Sequence, residues 1–151
     1  MKDNKFKFGE RLEKISKMKK ELPILLANQA QREFTAAFTN QNFTAGNGQQ
    51  WQEVQRRIQG TTEYKYPKTK GLSRRTSPIL VRTGKLRRAV SNSIRLATFE
   101  KIQLVVPLDY AKYQNDGTNN IPQRRFMGDG ITLRTKQKDL INREIKKVWQ
   151  E

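Results

Sequence analysis

Apolar residues recur at three- and four-residue spacing through the first block of the chain. Leu12, Ile15, Met18 and Leu22 share one face, with Lys14, Lys17, Lys19 and Lys20 between them. Leu26, Ala30, Phe34, Ala37 and Phe38 continue the pattern to about position 38. This spacing predicts amphipathic helix. Pro23 removes a backbone donor inside a helix but suits the first turn of a new one. The pattern therefore predicts two helices with a joint near Leu22, and Phe34 and Phe38 as core.

Periodicity then lapses. Residues 39–48 are mostly Asn, Gln, Thr and Gly, which predicts a loop, with Gly46-Asn47-Gly48 as a turn. Trp51, Val54 and Ile58 have the spacing of a short helix or turn. The stretch 60–78 alternates too briefly to predict a strand, so 39–78 reads as largely loop, and a loop of this length is usually functional or disordered. Thr83 is positioned to cap a short helix through Val90. Ile94, Leu96 and Thr98, then Ile102, Leu104 and Val106, alternate with polar residues around a brief turn. That is an antiparallel hairpin with one buried face. Tyr110 to Tyr113 form a short helical segment that Gly117 ends, with half-buried packing expected for both tyrosines. Residues 118–130 read as loop. A closing helix from about Thr135 carries Leu140, Ile141, Ile145, Val148 and Trp149. The expected fold is α+β: N-terminal helices and a C-terminal helix packed on a small antiparallel sheet, in a single domain spanning 1–151.

Composition narrows the chemistry. The chain has 151 residues, of which 34% are hydrophobic, a modest supply for a core that a partner would help to bury. It contains no His and no Cys, which excludes disulfides, thiolate and His-based catalysis, and the usual zinc ligand sets. The longest apolar run, Ile24 to Ala27, is far shorter than the roughly 20 residues that span a bilayer. The beginning of the chain lacks a secretory pattern, so the expectation is an intracellular protein without a membrane partner. Lys and Arg number 31 against 14 acids, a formal charge of +17, which favours anionic partners.

Candidate chemistry is sparse. Asp109 and a Glu144-Ile145-Lys146 sequence faintly resemble the acids of a metal-dependent nuclease, but such sites need acids clustered on adjacent elements. Glu144 falls on the closing helix, where a solvated face is the simpler reading. Between Val54 and Arg88 there are 11 basic residues and one acid, with Trp51, Tyr64 and Tyr66 nearby. Aromatic groups among cations suit nonspecific nucleic-acid contact, although no readout motif accompanies them. Asn42-Phe43-Thr44 matches a glycosylation sequon by accident in an intracellular chain. No catalytic residue, metal site or cofactor is expected.

Four segments in order carry more information than any one of them. They are Ile79-Leu80-Val81-Arg82-Thr83-Gly84-Lys85-Leu86-Arg87, the hairpin from Ile94 to Val106, Tyr110-Ala111-Lys112-Tyr113-Gln114-Asn115-Asp116-Gly117, and Ile121-Pro122-Gln123-Arg124-Arg125-Phe126-Met127-Gly128. The first fits an L-x-x-T-G-x-L-R turn and the last an I-P-x-R-x-F segment. In this arrangement the chain resembles the phage virion morphogenesis family, the tail completion proteins of Mu-like and related tailed phages, over about Leu12 to Trp149. It departs in lacking the family's frequent His in the third segment and in having Ala89-Val90 where Ser-Ile is common.

The resemblance implies a structural, non-enzymatic protein that completes the tail or the head–tail joint by protein contact. Partners would be other tail or connector proteins and further copies of itself, in the host cytoplasm during assembly and then in the virion. The alternative is a nonspecific basic DNA-binding protein of phage or prophage origin. The implied interaction surface comprises Thr83, Gly84, Lys85, Arg87 and Arg88, then Tyr110, Gln114 and Gly117, then Pro122, Arg124, Arg125 and Phe126. The two basic segments are expected to converge at one end of the sheet, and their charges to matter more for assembly than for folding. A basic loop of Lys65, Lys68, Lys70, Arg74 and Arg75 is expected to be mobile and to face acidic protein or DNA.

Overall fold

The computed structural model describes residues 7–66 and 76–150. Its spine is one continuous helix, α1 (Phe8–Asn40), of 33 residues. The expected joint near Leu22 is absent: Pro23 lies inside the helix and is buried. A proline there removes the bond to the carbonyl of Lys19, at a cost of about 3 kcal/mol. Burial of Leu22, Ala27, Ala30, Phe34, Ala37 and Phe38 on the same helix offsets that cost. Gln41 ends α1 in the left-handed conformation, φ 56°.

Beyond α1 the chain runs through a turn held by the Asn42–Gln50 bridge, a 3-10 turn (Gln55–Arg57) and a four-residue helix, α2 (Thr62–Lys65). Lys65 closes α2, whereas Lys68, Lys70, Arg74 and Arg75 lie outside the described residues, as does the centre of the loop expected to be mobile. Helix α3 (Lys85–Ser91) leads into β1 (Ile94–Ala97), which pairs antiparallel with β2 (Ile102–Leu104). Helix α4 (Asp109–Asp116) follows, ended by Gly117 at φ 78°. The closing helix, α5 (Ile131–Trp149), starts four residues before the expected Thr135.

The α+β reading holds: α1 packs along α5 and α3 and across both strands. The hairpin is less regular than its alternation suggests. A bulge falls between Ile94 and Leu96, which puts Ile94 opposite Leu104 and Leu96 opposite Gln103. The register slip turns Leu96 away from the face of Ile94, and Leu96 is exposed, as is Ile102 near the tip. Ile94 and Leu104 remain partly buried against α1.

The core gathers at the C-terminal half of α1. Phe38 and Phe126 are each 1% exposed, with ring centroids 5.2 Å apart, and Trp51 meets Phe38 edge-on at 5.7 Å. The indole N–H of Trp51 donates to the carbonyl of Arg125. Leu86 and Val90 of α3, Ala111 of α4 and Leu133 of α5 complete this cluster. Gly130 is required at the start of α5, because a Cβ there would sit 2.3 Å from the carbonyl oxygen of Ala45. The amide of Leu133 donates to that same oxygen.

Candidate functional site

The segments singled out in the sequence meet around one cleft. Helix α3 enters β1 and α4 leaves β2, so both lie at the open end of the hairpin. Between the start of α3 and the exposed side of α4 lies an open cleft of about 420 Å³. Thr83, Lys85, Tyr110, Gln114 and Arg124 line it, together with Arg82, Leu80, Ile79 and Leu86 from the first segment. Val54 and Arg56, from the chain after α1, close its rim. Five of the twelve expected surface residues are thus brought together from three separate segments.

Local chemistry explains the placement. Gly84 takes φ 70° and is the N-cap of α3, so the corner depends on a residue without Cβ. The expected cap by Thr83 is corrected: the N-cap is Gly84, and the Thr83 hydroxyl, one residue earlier, accepts only from the first amide of α3, that of Lys85, at 3.4 Å. Leu80, φ 59°, also occupies the left-handed region, which is unusual for a branched side chain. The amide of Ile79 donates to Oε1 of Gln41 at 2.8 Å, tying the floor of the cleft to the end of α1. The amide of Arg124 donates to the carbonyl of Gln114, joining the last segment to α4. Tyr110 and Tyr113 are 43% and 54% exposed, so both stand on the open side of α4 and are less buried than expected.

Not every expected surface residue is a free surface group. Phe126 belongs to the core. Arg124 is 8% exposed, and its Nε donates to the carbonyl of Gln52 at 3.2 Å. Burial pushes its guanidinium below the ordinary arginine value, and nearby Arg56 lowers it further while Glu53 opposes the change. Arg124 is consequently a structural cation whose charge reaches the cleft wall, not a freely exposed group. Arg125 points away from the cleft. It lies over the ring of Phe43 at 4.6 Å and donates to the carbonyl of Asp129, beside a second, polar hollow of about 330 Å³. Arg87 and Arg88 are exposed on α3. Gly117 and Pro122 shape the connection: a Cβ on Gly117 would sit 2.9 Å from the amide of Gln123.

Two residues that sequence reasoning passed over hold the site in place. Oδ1 of Asn115 accepts from the amides of Phe126 and Met127, at 3.1 and 3.0 Å, fixing the last segment against α4. Gln41 performs the corresponding task for Ile79. Neither has a sequence signal, since an amide in a polar stretch looks the same whether it binds backbone or water.

The residues weighed for nuclease chemistry are apart in the fold. Asp109 opens α4, exposed, and Glu144 lies on α5. Hydrogen bonding to Lys147 holds the Glu144 carboxyl below the usual carboxylate range, and Arg143 adds to this. Among the described residues no three acids group in a way that would hold a metal ion, and no helix is long and apolar enough to cross a membrane. No family model, curated protein or solved structure matches the chain.

Proposed function

We propose that the protein is a structural component of a phage virion, completing the tail or the head–tail joint through protein contact, with the cleft between α3 and α4 as its joint-forming surface. The observation that carries this reading is the convergence of the ordered segments. Residues separated by up to about 40 positions, chosen for their order in the chain, line one exposed cleft that has cations at its rim and no acid among its lining residues. Such a surface suits an acidic group on a neighbouring protein, because fixed cations orient an oppositely charged side chain. The work of the site is then mechanical, with the corner at Gly84 and the Asn115 clamp holding its walls.

The test is complementation of a phage lacking this gene with Arg82→Glu and Lys85→Glu protein. Both positions are exposed, so melting should change little while the yield of completed virions falls at least about tenfold. Wild-type yield from folded variants would remove the cleft from assembly. Two further measurements bear on the alternatives. Steep loss of DNA affinity with salt, near −0.9 in log–log slope per neutralised phosphate, together with normal virion yield, would favour the DNA-binding reading. DNA cleavage with Mg²⁺ that disappears in Asp109→Ala or Glu144→Ala protein would overturn a non-catalytic role.

A further inference from the structure

The tip of the hairpin carries an apolar group and an acid that the fold leaves uncovered. Phe99 is 58% exposed, with Lys19 Nζ 5.2 Å from its ring centroid. Glu100 beside it is exposed, and no ion pair to it occurs among the described residues. Thr98 and Lys101 exchange backbone hydrogen bonds across the turn, at 2.9 and 3.2 Å, so the pair is presented on a defined loop.

The cleft has the complementary character. Ile79, Leu80 and Leu86 supply apolar surface, while Arg82 and Lys85 stand at its edge without an ion-pair partner among the described residues. The strained backbone at Leu80 marks the same place, and such strain tends to persist where a surface is used. One chain cannot join its own tip to its own cleft. The tip lies beside Lys19, the cleft beside Ile79 and hence Gln41, and the helical path between those positions is about 33 Å at 1.5 Å per residue.

We infer that Phe99 and Glu100 of one copy dock in the cleft of a second copy, the ring on the apolar floor and the carboxylate between Arg82 and Lys85. The inference rests on the reading of the cleft as a joint-forming surface and names its occupant. Because the two patches differ and lie about 33 Å apart along α1, the contact is head-to-tail and leaves the pair with one tip and one cleft unused, on different copies. It therefore propagates beyond a dimer. Copies that each carry +17 repel, so the contact is weak in dilute solution and is best captured covalently.

The chain has no cysteine, so Glu100→Cys combined with Arg82→Cys gives two thiols too far apart to bond within one copy, given the Cα separation of under about 7 Å that a disulfide needs. Mild oxidation of the concentrated protein should give a ladder of trimers and larger species. At least about tenfold less should form when Glu100→Cys is paired with Lys138→Cys on α5. A non-covalent check uses sedimentation velocity: Glu100→Lys should weaken association about tenfold, the double variant Glu100→Lys with Lys85→Glu should restore it, and Glu63→Lys, with the same charge change, should leave it unaltered. No ladder, equal ladders in both cysteine pairs, or a stop at dimers overturns the inference. Loss of virions in Arg82→Glu and Lys85→Glu protein without a ladder would mean that the cleft takes another virion component, so this inference falls while the assembly reading stands. A ladder with normal virion yield would do the reverse.

Discussion

At the scale of single residues, the arginines separate into two physical kinds that look alike in the chain. Arg87 projects into solvent from α3, whereas Arg124 is buried with its Nε on the carbonyl of Gln52. A surface charge contributes little to stability, but removing a buried charged donor leaves its acceptor unpaired and opens a void. Arg87→Ala should therefore shift unfolding by no more than about 0.5 kcal/mol. Arg124→Ala should cost about 1–3 kcal/mol, read as a lower urea midpoint at unchanged slope. Equal midpoints for the two variants would place Arg124 back on the surface. Replacing Arg87, Arg124 and Arg125 together would confuse folding with assembly, and for that reason Arg82 and Lys85 are the better probes of the cleft.

Among the elements, α1 departs furthest from its sequence pattern, and the departure can be measured. If Pro23 began a second helix, the amides of Ile24 and Leu25 would fall in its first turn and lack intrahelical acceptors. In a continuous helix they bond to Lys20 and Glu21. Native-state hydrogen exchange should show those two amides protected to a degree comparable with Ala27 to Ala30. Exchange at loop-like rates confined to Ile24 and Leu25 would restore the joint. The helices were legible because periodic burial writes itself into spacing: Leu140 and Val148 of the α5 stripe are buried and the Gly117 stop is kept, although Ile145 and Trp149 of that stripe are exposed. The joint was not, since the cost of a proline is local while the packing that offsets it comes from α3, α5 and the strands. The bulge after Ile94 escaped for a similar reason: nothing in its strict alternation shows where the partner strand slips. The cleft was legible only as an order of segments. Arg124, Asn115 and Gln41 act through backbone partners many positions away, and such partners leave no mark on the residues that find them.

For the whole molecule the excess of cations governs how the parts coexist. The chain carries 31 basic and 14 acidic residues, and among the described residues several ion pairs are exposed on both sides, such as Lys7 with Glu10 and Lys17 with Glu21. Exposed pairs of this kind add about 0–1 kcal/mol each, too little to cancel the mutual repulsion of a +17 chain. Folding brings those charges closer together than they are in the unfolded ensemble, so self-repulsion acts against the native state. Salt screens it: the Debye length falls from about 10 Å at 0.1 M to about 3 Å at 1 M. Between surface cations the loss of repulsion outweighs the loss of the few attractive pairs, because unlike charges here are in the minority. The melting temperature of the free protein should consequently rise as NaCl increases from 0.05 to 0.5 M, by a few degrees if about 1 kcal/mol of repulsion is removed. The same series in KCl should match it, since screening depends on ionic strength and not on the identity of the cation. A melting temperature that falls with salt would mean that attractive pairs dominate the native electrostatics, and that the cationic cleft is already compensated within the subunit.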